Sequence, residues 1–213
     1  MMLTRTLRAV LLTVAGLGAA FAATAQAPGA ADPYIFSEAP GDRAYGNPDA
    51  DHTLIVYASN MCPHCGSWFT QQWPTVKREL VETGRLRFVF RPMPSGPMQM
   101  SMMGFIMAEC APDEDYMAVM EDQFARQATL LGLRDNDALR AQFAEIAAGA
   151  GLPDDAAISA CLADPENQTA LNVAGERARA AQIRGIPTFI FNGNIMGGDH
   201  DAEDVAAWMA AAE

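Results

Sequence analysis

The spacing of apolar residues changes several times along the chain. Leu54-Ile55-Val56-Tyr57 is an unbroken apolar run. It is too short for a helix and reads as a strand buried on both faces. From 63 to 82, Trp68, Phe69, Trp73, Val76, Leu80 and Val81 recur at three- and four-residue spacing, and Gly84 follows. That pattern predicts a helix ending near the glycine. Pro74 lies inside it and lacks an N–H to donate, which predicts a kink. Leu86-Arg87-Phe88-Val89-Phe90 alternates imperfectly and reads as a second strand. A strand, a helix and a strand within about 40 residues imply a right-handed parallel crossover.

Beyond residue 97 the period is helical, with segments near 98–110, 113–128, 135–149, 154–162 and 166–182. Pro112, Gly132, Gly151-Leu152-Pro153 and Pro165 mark the breaks. Strand character returns after Pro187. Thr188-Phe189-Ile190-Phe191 and Ile195-Met196 flank Asn192-Gly193-Asn194, a hairpin with an Asn-Gly turn. Asp201 is placed to cap a last helix carrying Val205, Trp208 and Met209. The expected fold class is therefore α/β. A lead-in over 26–51 precedes a strand–helix–strand unit over 52–96, then a helical insertion over 97–183, then a strand hairpin and helix over 184–213.

Residues 1–25 read as an address rather than as part of the fold. Arg5 and Arg8 precede a short apolar run over 10–21, and Ala23-Thr24-Ala25 reads as a cleavage site. A cut after Ala25 is favoured over one after Ala27, which would leave Pro28 first. The run is shorter than the ~20 strongly apolar residues of a spanning helix and is rich in Ala and Gly. Export places the protein in an oxidising compartment, where cysteines can form disulfides. Losing Arg5 and Arg8 takes the net charge from −12 to −14. Such an acidic chain is unsuited to nucleic acid, which selects basic side chains.

The candidate chemistry is Cys62-Pro63-His64-Cys65, between the first strand and its helix. Two cysteines at i and i+3 on a first helical turn share a face, so their sulfurs can bond or part with little backbone movement. Pro63 suits that turn, where a missing N–H costs nothing. Unpaired N–H groups and the helix dipole there are expected to favour a Cys62 thiolate, with His64 adding a donor or positive charge. A stabilised thiolate makes the corresponding disulfide more oxidising. Cys65 is expected to be more buried and to resolve mixed disulfides. Haem attachment would need His at 66, which is Gly. A zinc site would need a second close pair, but Cys110 and Cys161 are isolated. An inert bridge is the remaining alternative. No metal and no cofactor is expected.

Tyr57-Ala58-Ser59-Asn60-Met61-Cys62-Pro63-His64-Cys65 and Gly185-Ile186-Pro187-Thr188-Phe189-Ile190-Phe191-Asn192-Gly193 resemble the DsbA-like thiol–disulfide oxidoreductases. The resemblance covers essentially the chain beyond the leader. It implies a thioredoxin-like fold with an inserted α-helical domain, and a periplasmic oxidase that donates the Cys62–Cys65 disulfide. It also implies a cis Pro187 packed against the pair, with Ile186-Pro187 docking a client strand. Position 186 departs from the family, whose members more often carry Val or Thr there; Ile brings no hydroxyl to the thiolate.

The implied partners are reduced or unfolded exported proteins as clients and a membrane protein that reoxidises the pair. The chain is expected to act as a monomer, since few residues precede the first strand. A reductase or isomerase using the same site stays open. Cys110 and Cys161 are either buried thiols or a bridge, and the resemblance allows the bridge, which is expected here. Met93, Met98, Met100, Met102, Met103 and Met107 crowd together. They suit a core, a pliable client surface or copper(I), which keeps a periplasmic copper-handling role as a second alternative. Met61 is expected at an apolar rim for clients. His52 and His200 read as structural or solvated.

Overall fold

In the computed structural model, which describes residues 32–197 and 200–212, five strands form one sheet. They are β1 (Arg43–Tyr45), β2 (His52–Ala58), β3 (Leu86–Pro92), β4 (Thr188–Phe191) and β5 (Asn194–Met196), in the order β1-β3-β2-β4-β5. The leader expected over 1–25 lies outside the described residues. β2 and β3 pair in parallel, with Leu54 opposite Phe88, and the other three pairings are antiparallel. The parallel pair is the crossover expected from the sequence.

The central strands are buried on both faces, and their side chains alternate between two clusters, as the pleat requires. Leu54, Val56, Phe88, Phe90, Phe189 and Phe191 join the larger cluster on one face. Ile55, Tyr57, Val89 and Ile190 join the smaller one on the other, covered by Ala178 and Ile183. At the hairpin, Asn192 and Gly193 both take positive φ (45° and 83°). That is the conformation of the tight turns whose twist suits a hairpin, and glycine adopts it without steric cost.

The helix expected over 63–82 is broken in three. α1 (Pro63–Gln71) is followed by α2 (Trp73–Val76) and a π-helical turn over Lys77–Val81. Pro74 has no N–H for the next helical bond, and the chain restarts around Gln72, whose carbonyl accepts from Thr75 and Val76. The helical block holds α3 (Met98–Glu109), α4 (Tyr116–Gly132), α5 (Asn136–Gly149), α6 (Asp155–Ala163) and α7 (Pro165–Ala180). Asp135, Asp154 and Asp164 cap α5, α6 and α7 by accepting the N–H of Ala138, Ala157 and Glu166. α8 (Ala202–Ala212) opens with Asp201 accepting the Asp204 N–H at 2.9 Å.

The helical block shares the core of the sheet. Phe69 of α1 stacks on Phe124 of α4 at 4.1 Å between ring centroids, and Phe105, Tyr116, Phe143 and Leu171 belong to the same cluster as the strands. The sheet and block therefore hold α1, and the cysteines at its head, from two directions.

Candidate active site

The two free cysteines lie where β2 gives way to α1. The turn from Ser59 to Cys62 closes with the Cys62 N–H donating to Ser59 O at 3.2 Å. Cys62 is the N-cap in extended backbone (φ −91°, ψ 119°), and Pro63 opens the helix. Cys65 sits one turn in and is wholly buried, whereas Cys62 is half-buried.

Their sulfurs have different partners. The Cys62 thiol donates to the Ile186 carbonyl at 3.7 Å. Cys65 Sγ accepts the Ser59 N–H at 3.5 Å. Burial pushes the Cys65 thiol well above its ordinary value, and the Ser59 N–H offsets only part of that. The first-turn N–H groups expected to meet the Cys62 sulfur do not: Cys62 makes no side-chain cap hydrogen bond. A protonated sulfur is a donor, and here the Ile186 carbonyl satisfies it.

Ile186 and Pro187 come from the start of β4 and are joined by a cis peptide bond. β4 pairs with β2, with Thr188 opposite Tyr57, which brings the Ile186 carbonyl beside Cys62. His64 is exposed. It shares with Pro187, Trp68, Phe189, His200 and Asp204 a cavity of about 320 Å³. A second cavity, of about 380 Å³, also takes in His64 and Pro187, with Ile186 and Ile195. The structure thus gathers Cys62, Cys65, His64, Ile186 and Pro187 into one place.

Met61 is a correction. It is 1% exposed and packs in the core, so it forms no rim. The Ser59 hydroxyl accepts the Met61 N–H at 3.2 Å, and the turn carries the Met61 side chain inward. The other methionines part company. Met107 is buried, Met100 and Met103 lie against the core, Met93 is on the opposite face of the sheet, and Met98 and Met102 are exposed. Among the described residues no group of three or more His, Cys, Asp or Glu side chains could hold a metal ion. His52 is buried, bonded to Asn192 and stacked on Phe191. His200 lies edge-on to Trp208 and pairs with Asp204 at 3.4 Å.

Cys110 and Cys161 form a disulfide, S–S 2.01 Å, joining the ends of α3 and α6 away from the reactive turn. Asn167 donates to both Cys110 Sγ and Cys161 O at 3.0 Å.

Behind the reactive turn lies a layer of buried amides and hydroxyls that sequence reasoning missed. Asn60 donates to Gln123 Oε1 at 2.8 Å and to Ser101 O at 3.1 Å, and accepts from the Ser101 hydroxyl at 2.6 Å. Gln127 Nε2 donates to Asn60 O and Cys62 O. Two glutamines four apart on a helix look like a solvated face. The available signal was a glycine inside each of two helices, Gly66 and Gly104, where a Cβ would overlap the carboxamides of Gln127 and Gln123.

A sheet of this order, with two cysteines heading its first long helix, defines the thioredoxin class. A family model described as thioredoxin matches residues 38–211, and the chain belongs to that family. The helical block between β3 and β4 makes its fold the DsbA-like form.

Alpha-DsbA1 of Wolbachia pipientis is 20% identical, with a TM-score of 0.69, and the match covers 82% of this chain and 92% of that one. BdbD of Bacillus subtilis is 13% identical at 0.69, covering 80% and 92%. A protein-disulfide isomerase of Novosphingobium aromaticivorans is 19% identical at 0.66, covering 81% and 97%. A Rickettsia bellii protein named as a protein-disulfide oxidoreductase is 22% identical over 158 residues, which are 71% of this chain. The match spans 57% of that relative's length. No helix among the described residues is long and apolar enough to cross a membrane.

Proposed function

We propose that this protein is an exported thiol–disulfide oxidoreductase that acts as a dithiol oxidase on other exported proteins in the periplasm. The observation that carries the reading is the asymmetry of the pair. Cys62 is half-open beside the Ile186 carbonyl, and Cys65 is sealed behind it. In the oxidised protein a client thiolate attacks Cys62 Sγ. The Cys62–Cys65 bond breaks and Cys65 leaves with the electron pair, taking up a proton. A second client thiolate attacks the client sulfur of the mixed disulfide and releases Cys62. The client gains a disulfide, and two electrons and two protons stay on the pair. A membrane protein then returns the pair to the disulfide.

In this reading His64 lies at the mouth of the site as the tuner of Cys62, and Ile186-Pro187 is the edge along which a client strand lies. Residues 1–25 serve as the export signal, and the protein works as a monomer. The relatives' names support disulfide exchange in general and include an isomerase. A reductase or isomerase would run the same pair in reverse, and the burial that opposes ionisation of the Cys65 thiol acts on both directions alike.

Equilibration with glutathione buffers separates the two directions. A strong oxidant of this kind lies near ~−120 mV, and a thioredoxin-like reductant near ~−270 mV. The oxidase reading expects the upper region, and a value at the lower end overturns it. Cys62→Ser is expected to abolish oxidative refolding of a reduced test protein, and retained activity would reject Cys62 as the attacked sulfur.

A further inference from the structure

The amides behind the reactive turn carry an inference that rests on the exchange reaction proposed above. Gln127 belongs to α4, 65 residues from Cys62 in sequence. It is 5% exposed. Its Nε2 donates to Asn60 O at 2.8 Å and to Cys62 O at 3.0 Å. Cys62 O also accepts the Gly66 N–H at 2.9 Å, the bond that starts α1. A carboxamide nitrogen carries two hydrogens, so one group pins two carbonyls of the short turn on which Cys62 stands. Gly66 leaves the room: a Cβ there would overlap the Gln127 carboxamide. The arrangement recurs at Gly104, where a Cβ would overlap Gln123 and Asn60.

We propose that Gln127 is a positioning residue for disulfide exchange: from the helical block it fixes the backbone of Cys62, and with it the sulfur that meets the client. Its effect differs between the redox states. The Cys62–Cys65 bond restrains the turn by itself in the disulfide state. In the dithiol state that restraint is gone, and the two hydrogen bonds must offset the ordering entropy themselves; in the disulfide state the turn is already ordered. Gln127 therefore pre-orders the turn for closure, favours the disulfide and makes the pair a weaker oxidant.

The test equilibrates the full chain, as wild type, Gln127→Met and Gly66→Ala, with reduced and oxidised glutathione. One protein disulfide and two glutathione thiols give the dithiol and one glutathione disulfide. Thermal melts of both redox states accompany it. Gln127→Met keeps the bulk and removes the donor. It is expected to shift the equilibrium toward the protein dithiol by about three- to tenfold, the scale of one or two neutral hydrogen bonds. Its Tm is expected to fall further in the disulfide state than in the dithiol state. Gly66→Ala drives the carboxamide aside with Gln127 still present, and is expected to shift the equilibrium the same way.

A folded Gln127→Met protein with less than a threefold shift, and equal Tm losses in both states, has lost a structural contact only; that result overturns the proposal, as does a shift toward the disulfide. If Gln127→Met does not fold, Gly66→Ala decides by the same criteria. A wild-type protein that fails to exchange with glutathione rejects the functional reading and the positioning role together. Normal wild-type exchange beside an unshifted variant rejects the positioning role alone.

Discussion

Cys62 and Cys65 stand one helical turn apart yet occupy different solvents. Cys65 is 0% exposed and its ionisation is opposed by burial, so at neutral pH it stays a thiol. Brief treatment of the reduced protein with iodoacetamide at about pH 7 is expected to modify Cys62 and spare Cys65, as peptide mass mapping would record. Equal labelling of both would contradict the buried assignment. The same burial has a signature in alkali. A folded-state value raised above the unfolded one means that the folded chain holds a proton the unfolded chain has lost, so stability falls as pH rises. For Cys65 the fall begins near its ordinary value of 9.0. Tyr45 and Tyr116, also raised by burial, join from about 10.0. Denaturant midpoints between about pH 8 and pH 10 check this. Cys62→Ser is expected to lose stability over that interval faster than Cys62→Ser/Cys65→Ala, and parallel curves would contradict it.

Elements differ in how much of them a sequence can show. β2 was legible because a strand buried on both faces leaves an unbroken apolar run, and the hairpin because Asn192-Gly193 states its own turn. β1 was not. Arg43-Ala44-Tyr45 has no alternating pattern; it is a strand because β3 offers it an edge and Arg43 reaches Glu109 and Asp113. The split at Gln72 was visible only as a kink at Pro74. Of the site, Cys62, Cys65 and Pro187 announce themselves by residue type and spacing. Met61 misled because Cys62 beside it is half-open while its own side chain turns into the core. Gln127 was hidden because its role depends on a contact 65 residues away. The α3–α6 staple yields a prediction at this scale. Cys110 and Cys161 are 51 residues apart, and in the chain-entropy model closing such a loop stabilises the fold by about 4 kcal/mol. Cys110→Ser/Cys161→Ser is expected to lower the denaturant midpoint accordingly while disulfide exchange at Cys62 persists. Loss of exchange in the folded variant would tie the staple to the reaction.

Across the whole molecule, one buried cation ties the first described residues to the sheet. Arg91 of β3 is 1% exposed. It donates to the carbonyls of Tyr34, Ile35 and Ser37, to the Tyr57 hydroxyl and to Asp42. Arg177 of α7 reaches Asp32 and Asp42 in turn. Removing one partner of a buried pair strands the rest, at a cost of about 3–5 kcal/mol. Arg91→Met is expected to show that loss in urea and to open residues 32–42 to limited proteolysis. Unchanged stability would mean that the lead-in is held by other contacts. The order of the sheet has one more consequence. β2 lies between a neighbour made soon after it and one made much later, and Cys62 is 124 residues from the carbonyl that accepts its hydrogen bond. A nascent chain leaving the ribosome N-terminus first therefore displays Cys62 long before Ile186 exists. Until β4 has paired with β2, Cys62 stands at the head of α1 without its carbonyl partner, so the site is among the last parts of the molecule to be completed.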